Sequence, residues 1–227
     1  MANFVVTIDG PAASGKSTVA RLLAERLDAS FLDTGAMYRA VTLAAMRAGI
    51  NMSDQEELLG VIEKKELEFS AERGGMVVHL NGVDVTEQIR SGEVTANSRY
   101  AASAPRVREK LVEMQRQFAA GKDRIVTEGR DQGTVVFPDA DIKFYLTADP
   151  KERARRRQAE LEAKGQRQDA EQVRGAINAR DKSDRGRDVG PLRPASDAIL
   201  VDTTSLSVEE VVQKLLECVN ERCSGKS

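Results

Sequence analysis

The chain has no tryptophan, one histidine and two cysteines, and aromatic residues make up 4% of its 227 positions. Each shortage closes a route. With one imidazole, His79, and thiols only at Cys218 and Cys223, nucleophilic catalysis through a paired base has no candidate set. Two cysteines on one expected C-terminal helix cannot make a disulfide framework, so a reducing cytoplasm is expected. No apolar stretch approaches the roughly 18 residues that span a membrane. The N-terminus enters an apolar strand directly, without a basic start or a cleavable segment, so no membrane partner is expected. Scarce aromatics leave little on which bases could stack, which argues against a nucleic-acid polymer as partner. The remainder is ordinary: 41% hydrophobic, 31% charged and a net charge of −2, as in a globular domain large enough to bury a core.

What is present is concentrated. "IDGPAASGKST", Ile8 to Thr18, follows the apolar run "FVVT". Gly10, four residues, Gly15, Lys16 and Ser17 form the pattern of a phosphate-binding P-loop. Glycines let the backbone curl so that successive N–H groups point inward, and the next helix adds its positive N-terminal end. Lys16 then reaches a terminal phosphate, and the Ser17 hydroxyl holds Mg²⁺. The expected phosphate cradle is Gly10, Pro11, Ala12, Ala13, Ser14, Gly15, Lys16, Ser17 and Thr18.

Charge is unevenly spread. From Lys151 to Arg193 there are 13 basic residues against 8 acidic ones, so the rest of the chain is acidic. "RARRR", Arg153 to Arg157, fits a nucleic-acid patch, a solvated helix face or a lid over a compact polyphosphate. Interleaved acidic residues disfavour the first.

Short apolar runs alternate with helical patterns. "FVVTID", "SFLD", "RIVTEG", "IKFYLTA" and "AILVDT" have the composition of buried strands. Between them, helical spacing covers Lys16–Leu27, Gly35–Gly49, Pro105–Ala120, Pro150–Lys164 and Leu206–Asn220. This pattern predicts an α/β domain: a five-stranded parallel sheet with helices on both faces and ligands at the carboxyl ends of the strands. Residues 65–91 break the rhythm. Asn81-Gly82 between alternating apolar residues signals a hairpin, so a small antiparallel sheet is expected as an insert, with His79 on one of its strands. Arg180 to Pro194, "RDKSDRGRDVGPLRP", is polar and broken by glycine and proline, and is expected as a mobile loop after a helix.

A P-loop alone does not separate switches, transporters and kinases. The Asn-Lys-x-Asp guanine clamp of GTPases does not occur here, nor does a Ser-Gly-Gly-Gln transporter signature. Phosphoryl transfer to a small acceptor needs cations around the transferred group and exclusion of water, and the arginines fit that need.

"IDGPAASGKST", "LDTGAMYRA", "PRVRE", "EGRDQGTVVFPDAD" and "RDKSDRGR", in this order, resemble the bacterial cytidylate kinases of the nucleoside monophosphate kinase family. The resemblance runs from about Val5 to Val212. It implies one P-loop kinase domain over 1–227, with 65–91 as an acceptor-side insert and 153–193 as a mobile lid. It implies a monomer that uses MgATP to phosphorylate CMP and dCMP, giving the diphosphates. A related kinase acting on UMP or another small phosphate acceptor is the alternative, and a P-loop binding or regulatory protein is the rival from another class.

Residue by residue, the resemblance puts Lys16, Arg130 and Arg187 at the transferred phosphoryl group and Ser17 on the metal. Arg156 and Arg157 would close over ATP. Thr34 and Arg39 would face the acceptor nucleotide, with Arg39 on its phosphate. Arg108 and Asp131 would recognise the cytosine ring, and Arg180 and Asp184 the sugar. Two of these residues also suit purely structural roles: Arg39 extending from its helix to solvent, and Asp131 capping the turn before "TVVFP". The sequence departs from the family twice. Arg99, preceded by Ser98, stands where a serine usually helps bind the acceptor, and Glu128 stands where Asp is common, as a water-mediated contact to the metal.

Overall fold

The computed structural model describes residues 2–64, 67–72, 75–163, 165–166 and 168–224. Its main sheet has five parallel strands in the order β2-β6-β1-β7-β8. These are β1 (Phe4–Asp9), β2 (Ser30–Asp33), β6 (Arg124–Gly129), β7 (Ile142–Thr147) and β8 (Ile199–Asp202), the five apolar runs expected. In register, Asp9 stands beside Gly129, and Asp33 beside Glu128. The polar residues at the strand ends are thereby brought to one edge.

Alternation along the strands assigns each residue to a face. Val6, Ile8 and Val126 point to one side, where α1 (Lys16–Arg26) and α8 (Val208–Ser224) cover them. Leu23 and Leu215 are fully buried in that layer, each contributing about 1.5–3 kcal/mol through burial. Val5 and Ile125 point to the other side, against α2 (Thr34–Ala48), α5 (Pro105–Ala119) and the small sheet. Thr7 and Asp9 share this second face, so β1 ends with a carboxylate aimed into protein.

The insert forms as expected, as an antiparallel sheet of β3 (Leu67–Glu72), β4 (Gly75–Leu80) and β5 (Val83–Asp84). Asn81 and Gly82 both take the left-handed backbone that a tight hairpin demands. Lys65, Glu66, Arg73 and Gly74, also assigned to the insert, lie outside the described residues, as does Lys164 at the end of the expected fifth helix. His79 is half-buried on β4, opposite Glu68 and Asp84. The insert's end is not sheet: Gln88–Arg90 is a 3₁₀ turn.

Two further helices close the second face, α3 (Gln55–Lys64) and α4 (Gly92–Ser103). Asp54 and Ser91 begin them, with side chains that accept from the first-turn N–H groups of Glu56 and Val94.

One expectation is overturned. Arg180 to Arg185 is not loop but the last part of α7 (Ala170–Arg185), which follows α6 (Pro150–Ala163); the loop begins at Gly186. Asp169 caps α7 by accepting from the N–H groups of Glu171 and Gln172. Val173 and Ile177 start its buried stripe, and Asp181 and Asp184 continue it at helical spacing. The buried face is half carboxylate, so its sequence does not look amphipathic. Among the described residues, no helix is long and apolar enough to cross a membrane.

Candidate active site

The P-loop leaves β1 at Gly10, where a Cβ would stand 2.1 Å from the Leu146 carbonyl oxygen of β7. Only glycine permits that approach. Gly15 then caps α1 in left-handed geometry without a side-chain cap, so the first N–H groups of α1 face the loop's interior as anion donors. Lys16 is buried beneath the loop, its Nζ donating to the Pro11 carbonyl at 2.7 Å. Burial, then the nearby Arg130 charge, lower its pKa to about 7, with Glu128 pulling the other way. Ser17 Oγ donates to Glu128 Oε1 at 2.7 Å. Burial and the adjacent Asp33 raise the pKa of Glu128.

Across the strand ends lies a group of arginines, of which Arg39, Arg130 and Arg187 are paired with acids. Asp184 accepts from Arg130 Nε at 2.7 Å and also from Arg187. Burial works against its charge, but the two guanidinium groups outweigh it and lower its pKa. Arg180 reaches solvent, yet the protein packed around it and the nearby Arg130 push it down to about 10. Arg39 donates to Asp33 at 3.1 Å, so it is not a free surface arginine. Thr34 Oγ1 donates to the Glu128 carbonyl at 2.7 Å.

Arg108 and Asp131 form a buried ion pair, and Arg108 also lies over the Tyr38 ring with 5.5 Å to its centroid. Asp131 sits at the start of a π-helical turn, Gln132–Val136, but its side chain does not cap it. The capping role therefore falls. Burial raises the Asp131 carboxyl's pKa while Arg108 pulls it back. Among the described residues, the buried side-chain atoms without a partner include Nε of Arg39, Arg108 and Arg187. Unspent guanidinium donors in a buried cleft are a demand for an anionic or acceptor-bearing ligand. A cavity of about 560 Å³ adjoins two of them, Arg108 and Arg187, and is lined in part by Lys182.

A P-loop facing an arginine cluster has few family solutions, and the comparison with known proteins selects one. The family model described as cytidylate kinase matches residues 6–221. This chain belongs to the cytidylate kinase family. It is similar to a cytidylate kinase of Rhodopirellula baltica, 49% identical over 96% of this chain and 93% of the relative. A cytidylate kinase of Pelotomaculum thermopropionicum is 50% identical over 95% of each chain. Among solved structures, an uncharacterized protein from Eubacterium ventriosum shares the fold, with a TM-score of 0.51, 13% identity and coverage of 96% of this chain and 98% of that one.

Within this cytidylate kinase family member, the two arginines expected to close over ATP, Arg156 and Arg157, part company. Arg156 is fixed at the rim of the P-loop by Glu152 at 2.9 Å and by Thr203 Oγ1 at 2.9 Å. Arg157 instead pairs with Glu160 on its own helix at 3.0 Å. The arginine that touches the P-loop is Arg153, which the motif pattern does not single out. It is buried, and its Nη1 donates to the Ala12 carbonyl at 3.0 Å and to Asp181 at 2.6 Å. Asp181 in turn accepts from the Ala12 N–H at 3.0 Å.

Asp9 is a second residue that the motifs pass over. Its two oxygens accept the Gln132 and Gly133 N–H groups at 2.9 and 2.8 Å. Burial raises its pKa to about 7, with those two bonds opposing. The sequence signal was an acid ending an apolar strand, shared by Asp33. Ser98 turns into its own helix, donating to the Thr95 carbonyl at 2.8 Å, and Arg99 stacks on Tyr100 with 4.9 Å to the ring centroid.

Proposed function

We propose that this chain moves the γ-phosphoryl group of MgATP onto CMP or dCMP, giving CDP or dCDP. The observation that carries the reading is the cationic cluster around Asp184. Arg130 and Arg187 bind that one carboxylate, and Arg130 and Arg180 both act electrostatically on Lys16 of the P-loop. Two polyanions can meet only where such excess positive charge offsets their repulsion.

In this reading the loop from Gly10 to Thr18 cradles the ATP phosphates, Arg156 stands at their rim, and Arg157 swings in when the lid over 153–193 closes. Lys16, Arg130 and Arg187 neutralise the charge that spreads over the transferred group. A bound phosphate favours the charged form of Lys16, countering the burial that depresses it. Ser17 and Glu128 offer only oxygen donors, which suits a hard cation that keeps waters and phosphate oxygens as its remaining ligands. Mg²⁺ held there would screen the β- and γ-phosphate oxygens.

Thr34 and Arg39 face the acceptor nucleotide, with Arg39 on its phosphate, and Arg180 and Asp184 take its sugar. Arg108 donates to the acceptor atoms of cytosine and Asp131 accepts from its exocyclic amine. The insert, here taken as 65–91, frames the acceptor side. Free thiols at Cys218 and Cys223 suit a reducing cytoplasm, where the chain works as a monomer.

The deciding experiment is a coupled assay of ADP release with each nucleoside monophosphate in turn. Turnover strictly dependent on CMP or dCMP is expected. ATP turnover indifferent to any acceptor would overturn the reading, and a preference for UMP would redirect it.

A further inference from the structure

We propose that Arg90, delivered by the inserted segment, is a second arginine for the phosphomonoester of the acceptor nucleotide, working beside Arg39. The inference rests on the reading of Arg39 as an acceptor-phosphate residue.

Arg90 ends the 3₁₀ turn directly after the small sheet. Ile89, fully buried in the core shared with α2, fixes that turn in place. From there the Arg90 guanidinium reaches Asp33 Oδ2 at 3.2 Å, and Arg39 reaches the same oxygen at 3.1 Å. The other oxygen of Asp33 is committed to the Ala36 N–H at 2.9 Å, where it caps α2. One buried carboxylate thus holds two guanidinium groups, and their sum is a net positive charge. A purely structural pair needs only one of them.

The surplus has the chemistry of a phosphate site. Each guanidinium carries five N–H donors in a fork that matches phosphate oxygens in pairs. Arg39 Nε is buried without a partner, and the Arg90 side chain is 37% exposed, so donors remain on both. The position is also right for transfer. Asp33 ends β2 beside Glu128, and Glu128 binds Ser17 of the P-loop. A dianionic phosphate between Arg39 and Arg90 would lie one strand from the donor phosphates. It would also tie the insert to α2, giving the insert a function beyond packing.

The test compares CMP with cytidine, which lacks the phosphate, using the full chain and Arg90→Gln and Arg90→Lys variants. For Arg90→Gln, KM for CMP should rise by about tenfold or more, the scale of one lost charge-assisted hydrogen bond. KM for ATP and competitive inhibition by cytidine should stay within about twofold, because neither uses a phosphate at this point. Arg90→Lys keeps the charge that staples Asp33 but loses the fork, so an intermediate loss for CMP is expected even if the glutamine variant unfolds. Equal weakening of CMP and cytidine would reduce Arg90 to a structural staple and overturn the proposal, as would an unchanged KM for CMP. Arg39→Gln serves as the reference. If it alone discriminates CMP from cytidine, only the Arg90 inference fails. If neither variant does, the placement of the acceptor phosphate fails with it.

Discussion

Asp9 Oδ2 accepts a hydrogen bond from the Gly133 N–H at 2.8 Å, joining the residue that opens the P-loop to the turn that presents Asp131. With the Gln132 N–H on its other oxygen, the carboxylate caps the first N–H groups of a π-helical turn, a conformation that concentrates at functional sites. One buried side chain thereby fixes the position of the turn after β6 relative to the end of β1.

Asp9→Asn should disturb that register without touching a nucleotide. An amide offers one acceptor oxygen, and its NH₂ would face the second backbone N–H. An unsatisfied buried N–H costs about 1–3 kcal/mol, and the turn carrying Arg130 and Asp131 should shift. We expect kcat/KM for CMP to fall by about tenfold to a hundredfold, since small misplacements of reacting groups are costly, while KM for ATP changes little. Steady-state kinetics in both substrates check this; an equal loss for both would mean general damage.

Lys16 carries a kinetic and a pH prediction. Lys16→Met should lower kcat by at least about a hundredfold, the scale of one preorganised donor in the transition state. A variant within a few-fold of the parent would disqualify the P-loop as donor site. Burial and Arg130 lower its pKa from 10.5 to about 7, so in that window the unfolded chain holds a proton that the folded chain has lost. The stability contribution of such a group is complete above 10.5 and lost as pH falls through 7. Urea unfolding from pH 6 to 10 should therefore show the parent gaining stability relative to Lys16→Met as pH rises. A constant difference would contradict the lowered pKa.

Asp131 bears on the choice of base. Uracil offers a carbonyl oxygen where cytosine offers its amine, so the Asp131 carboxylate would meet it with no proton between. Asp131→Asn can turn its amide to donate instead. CMP activity should fall by roughly 2–4 kcal/mol in kcat/KM, and UMP activity much less or not at all. Because Arg108 loses its buried partner, the variant should also melt earlier. If both substrates slow by one factor, Asp131 supports the turn and does not recognise the base.

The Arg153–Asp181 pair should act as a latch between P-loop and lid. Both side chains are buried, and both bind Ala12. Asp181→Asn weakens the partner of a buried arginine, a change costing up to about 3–5 kcal/mol. Hydrogen exchange should show faster opening of α7, with a higher KM for ATP. In the parent, residues 186–192 should gain protection when both nucleotides bind. Equal protection with and without ligands would count against a closing lid.

How much of this was legible follows from how local each feature is. β1, β2, β6 and β7 were readable because a strand buried on both faces must be apolar along its whole length, whereas β8 was readable from its apolar run alone, since Ile199 and Leu200 are exposed. The Asn81-Gly82 hairpin was readable because few residues accept its backbone. The end of α7, from Arg180 to Arg185, was not readable, because Asp181 and Asp184 occupy its buried face, and acids look like solvent-facing residues until their arginines are known. "RARRR" announced a cationic helix but not which arginine enters the protein. Arg153 and Arg157 sit one turn apart, and only the docking of α6 sends the first to Ala12 and leaves the second with Glu160.

The sequence by itself determined the P-loop, since its conformation depends on Gly10, Gly15 and their immediate neighbours, and the backbone N–H groups follow from that conformation. It also determined which side chains carry cations. The tertiary structure alone decided the partners: Asp9 with a turn more than 120 residues away, Asp33 between Arg39 and Arg90, and Asp184 between Arg130 and Arg187. Ion pairs and carboxylate clamps need two groups a few ångströms apart, and nothing in a linear order fixes that separation until the sheet brings its strand ends to one edge.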